Sequence, residues 1–254
     1  MHQGDPFVIP NPWDAGTAKV LAGLGFKALT TTSGGLAFAL GHPDGAVALD
    51  EMAAHVAAVS EATDLPLAVD LEHGYGPRPE DAARAITTAA GAGAVGGSIE
   101  DWDRDEKRLY EMDEAVERIA AAAEATRALD FPFVLVGRAE NHLRGNPDLD
   151  DTIARLNAYA EAGADVLYAP ALLTAEDIKA VCDAVSKPVN VLTFAQLGLS
   201  AREIFDAGAQ RISVGSGLTW VAMNPVVEAA GQMLDGDFSG LVIPDKRIKG
   251  WLQG

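Results

Sequence analysis

The sequence predicts a (β/α)₈ barrel, a ring of eight parallel strands each followed by a helix. Three observations carry that prediction. A helical run that ends in glycine and passes at once into a short apolar strand recurs four times, in LAGLGFKALTTTS (21–33), TTAAGAGAVGGSIED (87–101), YAEAGADVLYAP (159–170) and IFDAGAQRISVG (204–215). Proline takes the place of that glycine in ATDLPLAVDLE, LDFPFVLVGRAE and VSKPVNVL. Eight such units fit within 254 residues, close to the roughly 250 that one barrel needs.

Each element has its own reason. Glycine ends a helix because the cap takes a left-handed backbone that costs glycine nothing. Proline stops a helix and is tolerated at the first position of a strand. The strands are expected near 7–10, 28–33, 66–71, 95–99, 132–138, 165–169, 188–192 and 211–215. They are apolar throughout rather than alternating, as in parallel sheets covered on both faces. Between them, MAAHVAAVSEAT, EDAARAITTAAG, AVERIAAAAEATRAL and DTIARLNAYAEAG place apolar residues three and four apart, a helical period. A doubly wound open sheet is the alternative, but it often carries a glycine fingerprint after its first strand, absent here. One domain over 1–254 is therefore expected.

Composition narrows the function. Acidic residues number 37 against 19 basic ones, a net charge of −18. That charge argues against a nucleic-acid or anionic-membrane partner. The single cysteine, Cys182, excludes a disulfide framework and a multi-cysteine zinc site. MHQGDPFVIPNPWD lacks the pattern of a signal peptide, and no apolar run reaches membrane-spanning length, so a cytoplasmic location is expected.

In a barrel of this kind the active site forms at the carboxyl ends of the strands. The residues there are Asn11 and Asp14, Ser33–Gly34–Gly35, Asp70 with Glu72 and His73, Glu100 with Asp101, Arg138 with Glu140 and Asn141, Tyr168, Asn190, and Ser213 with Ser216. Asp70, Glu72, Glu100 and Asp101, with Asp44 in GHPDG, make a carboxylate cluster without cysteine or paired histidine. Such donors suit Mg²⁺, with Mn²⁺ as the alternative. The small residues of Ser33–Gly34–Gly35 would let backbone N–H groups approach an anion, and Gly215–Gly217 repeats that signal more weakly. None of the seven lysines closes a strand, which disfavours Schiff-base chemistry.

From about Val8 to Leu234 the chain resembles the isocitrate lyase/phosphoenolpyruvate mutase superfamily. TTTSGGLAFALGHPDG (30–45), LPLAVDLEHGYG (65–76), GGSIED (96–101), VGRAEN (136–141) and PVNVL (188–192) carry the likeness, in the family's order. The resemblance implies a phosphoenolpyruvate/pyruvate-type barrel that binds Mg²⁺ and a 2-oxo or 2-hydroxy acid and works through an enolate-like oxyanion. By motif, Ser33, Gly34 and Gly35 would cradle the substrate carboxylate, Asp44 would belong to a gating loop, and Asp70 would ligate the metal directly. Glu72 and Glu100 would hold the ion through water, Arg138 would stabilise the enolate oxygen, and Asn190 would meet the far part of the substrate. A homotetramer is implied, with a C-terminal helix (about 219–234) exchanged between subunits.

The chain departs from the family's pattern after the fourth strand. Isocitrate-cleaving relatives carry a KKCGH-type loop there, whereas this loop reads DWDRDEKRLYEMD without cysteine. Decarboxylation of a 2-oxo acid requires no general acid as the bond breaks, so the expected activity is an oxaloacetate decarboxylase-like lyase. Phosphonopyruvate hydrolase or phosphoenolpyruvate mutase chemistry comes second and a methylisocitrate-type lyase third. A non-catalytic 2-oxo-acid binder is the alternative from outside the enzymes.

Overall fold

The four glycine joints adopt the backbone their role requires: Gly25, Gly93, Gly163 and Gly208 have φ of +95°, +103°, +114° and +107°. The computed structural model describes all residues except 1, 3, 196 and 254. The strands are β1 (Phe7–Val8), β2 (Leu29–Thr30), β3 (Leu67–Asp70), β4 (Gly96–Glu100), β5 (Trp102–Asp103), β6 (Arg108–Leu109), β7 (Val134–Arg138), β8 (Val166–Tyr168), β9 (Val189–Leu192) and β10 (Arg211–Ser213). All but β5 and β6 form one parallel sheet in the order β1-β10-β9-β8-β7-β4-β3-β2. These eight strands coincide with the eight expected from the apolar segments. β5 and β6 pair antiparallel as a separate hairpin inside the 101–113 segment, an element the sequence reading treated as plain loop.

The helices are α1 (Ala15–Gly23), α2 (Ser33–Leu40), α3 (Leu49–Glu61), α4 (Pro79–Gly91), α5 (Met112–Arg127), α6 (Leu149–Ala162), α7 (Ala175–Ala184), α8 (Ala201–Asp206), α9 (Gly217–Leu234) and α10 (Lys246–Gln253). Their alanines let them lie close: Ala82, Ala85 and Ala89 of α4 and Ala115 and Ala122 of α5 are buried. Glycine does the same for β7, where a Cβ on Gly137 would come within 2.9 Å of the Tyr159 Cβ on α6. The main core fills the layer between sheet and helices, with Leu29, Leu135, Leu156, Leu167 and Ile178 fully buried. Among the described residues no helix is long and apolar enough to cross a membrane.

The ring's seam lies between β1 and β2, which are not paired along their length. One backbone bond, Thr30 N–H to the Pro10 carbonyl at 3.1 Å, crosses it. Asn11 reinforces it: its Nδ2 donates across the seam to the Thr31 carbonyl at 2.9 Å, while its Oδ1 is anchored on the paired side by Val214 N–H at 2.9 Å, just past β10. Asn11 is therefore a structural clasp at the site's edge. Replacing it with alanine strands two peptide groups near this buried side chain, at about 1–3 kcal/mol each. Asn11→Ala is expected to lower unfolding free energy in urea by about 2–6 kcal/mol, and an unchanged midpoint would contradict the clasp.

Candidate active site

The carboxyl ends of the strands surround a cavity of about 240 Å³. Ser33, Asp44, Asp70, Arg138 and Asn190 line it, together with Tyr168, Arg211, Ser213 and Ser216. Of the expected site residues, Gly34 and Gly35 lie in the turn of α2 behind Ser33, and Glu100 reaches the site through Arg138. Glu72 is not among the lining residues but stands in the field of Asp70 and Asp44.

The cradle forms because α2 begins at Ser33. Thr32 is its N-cap, with its hydroxyl accepting from Gly35 N–H at 3.4 Å, and among the described residues the Gly34 N–H is the one left unpaired in this first turn, at the positive end of the helix. Ser33 N–H donates to Asp70 Oδ2 at 3.3 Å, tying this turn to the carboxylate that closes β3. The glycines are steric necessities. A Cβ on Gly35 would sit 2.6 Å from Thr32 Cγ2 and 2.9 Å from both Thr219 Oγ1 and Trp13 Cβ, while one on Gly34 would meet Ser216 Oγ at 2.6 Å. Ser216 comes from the Gly215–Gly217 segment, so that weaker glycine signal belongs to the wall of the same cradle.

Arg138 closes β7 and is the electrostatic centre. Its Nε donates to Glu140 Oε1 at 2.6 Å. One terminal nitrogen stands 3.3 Å from Glu100 and 3.6 Å from Asp70. Its guanidinium lies over the Tyr168 ring, 5.0 Å from the centroid. Burial opposes this charge, but Glu140, Glu100 and Asp70 outweigh it and raise the Arg138 pKa well above the ordinary value. Glu140 itself is fully buried and also pairs with Arg144 at 2.8 Å. Behind it, Asp101 accepts from Glu140 N–H at 2.7 Å, from the Tyr159 hydroxyl at 2.5 Å and from Arg155 at 3.0 Å. Asp101 thus stands in the supporting layer rather than among metal ligands. Glu140 was visible in the sequence only as a strand-end acid; its place two residues after an arginine in extended chain is the signal that the two share a side.

The acids repel one another. Burial, then Glu140, push the Glu100 carboxyl well up against the pull of Arg138. Burial and Asp70 raise Asp44. Burial and Asp70 likewise push Glu72 up to about 7, although Arg104 opposes the shift. Arg104, on the β5–β6 hairpin, meets Glu72 Oε2 at 2.9 Å. Glu72 has a left-handed backbone, φ +48°, and its Oε1 is buried without a hydrogen-bond partner. His73 is a buried loop residue held near pKa 4 by burial and Arg104, and its carbonyl accepts from Arg118.

A divalent cation is compatible with these donors on two grounds: the crowding of like charges, which a cation relieves, and the orphaned Glu72 oxygen. Yet among the described residues no three acids, histidines or cysteines converge as ligands. The arrangement fits an ion held by one carboxylate with water completing its shell, rather than an all-protein cage.

Residues 1–234 match the family described as phosphoenolpyruvate phosphomutase. The chain belongs to the phosphoenolpyruvate mutase/isocitrate lyase superfamily. It is similar to a solved structure from Burkholderia cenocepacia J2315 described as a lyase/mutase, with 50% identity, a TM-score of 0.94, and coverage of 98% of this chain and 91% of that one. An uncharacterized protein of Mycobacterium tuberculosis (strain CDC 1551 / Oshkosh) is 31% identical over 93% of this chain and 88% of its own. An oxaloacetate decarboxylase of Rhodopseudomonas palustris (strain BisB18) is 34% identical over 69% of this chain and 60% of its own. Superfamily membership brings lyase or mutase chemistry on small 2-oxo acids at the level of the family.

The cradle gives a direct test. Gly35→Ala must displace Thr32 or Trp13, so it is expected to cost about 1–3 kcal/mol in urea. It should also weaken oxalate binding in the presence of Mg²⁺ at least tenfold by calorimetry. Undiminished oxalate affinity would remove the cradle from the site.

Proposed function

We propose that the protein is a metal-dependent carbon–carbon lyase that decarboxylates a small 2-oxo acid, with oxaloacetate the first substrate to try. The observation that carries this reading is the absence of an imidazole, thiol or ammonium group from the described residues of the cavity wall, which include no histidine, cysteine or lysine. The 101–113 segment contributes nothing to that wall: Arg104 is engaged by Glu72, and Asp103 Oδ1 accepts from Asp105 and Glu106 N–H, both at 3.0 Å, within its own hairpin. Loss of CO₂ needs no proton as the C3–C4 bond breaks. The bond's electrons remain on the three-carbon fragment as the pyruvate enolate, which water then protonates at C3.

A divalent ion, Mg²⁺ or Mn²⁺, supplies Lewis-acid polarisation of the keto acid when bound, and Asp70 would hold it, with Glu72 and Glu100 acting through water. The α2 turn at Ser33–Gly34–Gly35 would bind the C1 carboxylate through backbone N–H groups. Arg138, kept charged and oriented by Glu140, would face the C2 oxygen as its negative charge develops. Asp44 would close the cavity from the 41–48 loop. The resemblance to the Rhodopseudomonas palustris oxaloacetate decarboxylase supports the choice of substrate.

The quaternary proposal is a homotetramer with α9 exchanged between subunits. Val221, Val227 and Leu234 of α9 are 69%, 73% and 90% exposed, an apolar surface that a partner would cover. Sedimentation equilibrium is expected to give four times the chain mass, and a monomer would overturn this.

Arg138→Lys tests the chemistry. Lysine keeps a charge among Asp70, Glu100 and Glu140, so the fold should survive, but the fixed fork is lost. Oxaloacetate turnover above the Mg²⁺-only background is expected to fall about 100- to 1000-fold, with far-UV circular dichroism unchanged. Turnover within threefold of wild type would overturn the assignment.

A further inference from the structure

Arg211 is a buried cation in the cavity wall without a counter-charge among the described residues. It opens β10, is 5% exposed, and lines the same cavity as Arg138. Its Nε donates to Asn190 Oδ1 at 2.7 Å, and its guanidinium forms no ion pair among the described residues. Two other buried arginines have carboxylate partners, and a third, Arg118, also lacks an ion pair among the described residues but lies away from the cavity wall. Arg138 has its three carboxylates, Arg155 pairs with Asp101 and Asp151, and Arg118 sits on the carbonyls of His73 and Gly76.

The ionisable neighbours provide no negative charge. Burial pushes Tyr168 up to about 12, while burial and Arg211 itself hold His2 near 4, so both are neutral at pH 7. Burial also lowers Arg211 to about 10, which leaves it charged. An uncompensated guanidinium in a protein interior is costly and is ordinarily paired.

Asn190 explains how the group is held. Its Nδ2 donates to Ser213 Oγ at 2.9 Å and its Oδ1 is taken by Arg211. The amide is engaged at both ends, so the guanidinium is the member of this pair left for a ligand. A second cavity of about 200 Å³, at the amino ends of the strands, shares Arg211 as part of its wall. Phe7, Ile9, Leu29, Leu67 and Val134 make that side largely apolar, a poor receptor for an anion. The Arg138 side adds Asn190, Ser213 and Thr30. Strand register runs Arg138↔Tyr168, Tyr168↔Asn190 and Asn190↔Arg211. The two arginines therefore stand three strand spacings apart, about 14 Å along the curved wall, at opposite sides of one cavity.

We propose that Arg211, oriented by Asn190, binds a second carboxylate of the substrate, remote from the end held at Arg138 and the α2 cradle. The site thereby selects dicarboxylic 2-oxo or 2-hydroxy acids over monocarboxylates such as pyruvate. The inference rests on the placement of the 2-oxo acid end proposed above. It also predicts a kinetic signature. A carboxylate lost as CO₂ sheds its charge on the way to the transition state, so its ion pair stabilises bound substrate more than the transition state. Arg211→Met should raise KM for oxaloacetate tenfold or more and leave kcat within threefold of wild type or above it.

Calorimetry on the full chain with Mg²⁺ separates this from turnover. The probes are L-malate, an unreactive diacid, and oxalate, which lacks a remote carboxylate. Arg211→Met is expected to weaken malate at least tenfold and oxalate less than twofold. Asn190→Asp, nearly isosteric, supplies an internal counter-charge and should do the same with Arg211 in place, so it carries the test should Arg211→Met not fold. Malate binding unchanged in the folded variants, or equal losses for malate and oxalate, overturns the proposal. Wild-type protein that binds malate through Arg211 but leaves oxaloacetate unconsumed overturns the decarboxylase reading alone.

Discussion

The Arg138–Glu140 pair is the contact on which the rest of the mouth depends. A guanidinium can sit in the cavity wall only because a fully buried carboxylate takes its Nε at 2.6 Å and two further acids approach its tip. That partner is in turn fixed through its backbone by Asp101, which draws on Tyr159 and Arg155 of α6. Orientation of one cation therefore reaches back through the sheet into the helical layer. Such pairs contribute little net stability against an apolar alternative, but losing one member leaves an unbalanced charge indoors. The arrangement makes sense as preorganisation for a developing anion.

The same bookkeeping of charge runs through the other acids. Glu72 meets Arg104, Glu100 meets Arg138 and Arg144, and Asp44 shares Asp70's field without an arginine of its own in contact. Each carboxylate is thus partly neutralised by the chain while its neighbours still repel it. That balance leaves net negative charge at the mouth without a convergent set of three ligands among the described residues. It also places Glu72 in a compromise between an arginine from the hairpin and whatever enters beside Asp70.

The barrel was legible because its evidence is local. A parallel strand covered on both faces is apolar throughout, and a helix that must turn sharply into it shows glycine or proline at the joint. Gly25, Gly93, Gly163 and Gly208 are all left-handed, as that reading requires. The β5–β6 hairpin escaped because two-residue strands in DWDRDEKRLY have no periodicity to read. In the cavity wall, Ser33, Asp70, Arg138 and Asn190 could be located because strand ends converge in this architecture, whereas Asp44, in the loop after α2, was picked out by its GHPDG segment. Arg211 could not be found by inspecting strand ends, since it opens its strand and points inward from the first position. The Glu72–Arg104 contact joins residues 32 apart in sequence, and no spacing rule connects them.

The seam between β1 and β2 has a dynamic consequence. Where seven strand junctions are ladders, this one is a single peptide bond's hydrogen bond plus the Asn11 amide, and it borders Thr31 and Thr32, the residues that launch α2. Local opening begins where fewest backbone bonds must break together. The amide proton of Thr30, which crosses the seam, should thus exchange with solvent ahead of the opposite wall. The first turn of α2 starts at that border, so it is the part of the mouth that loosens ahead of the far side of the ring.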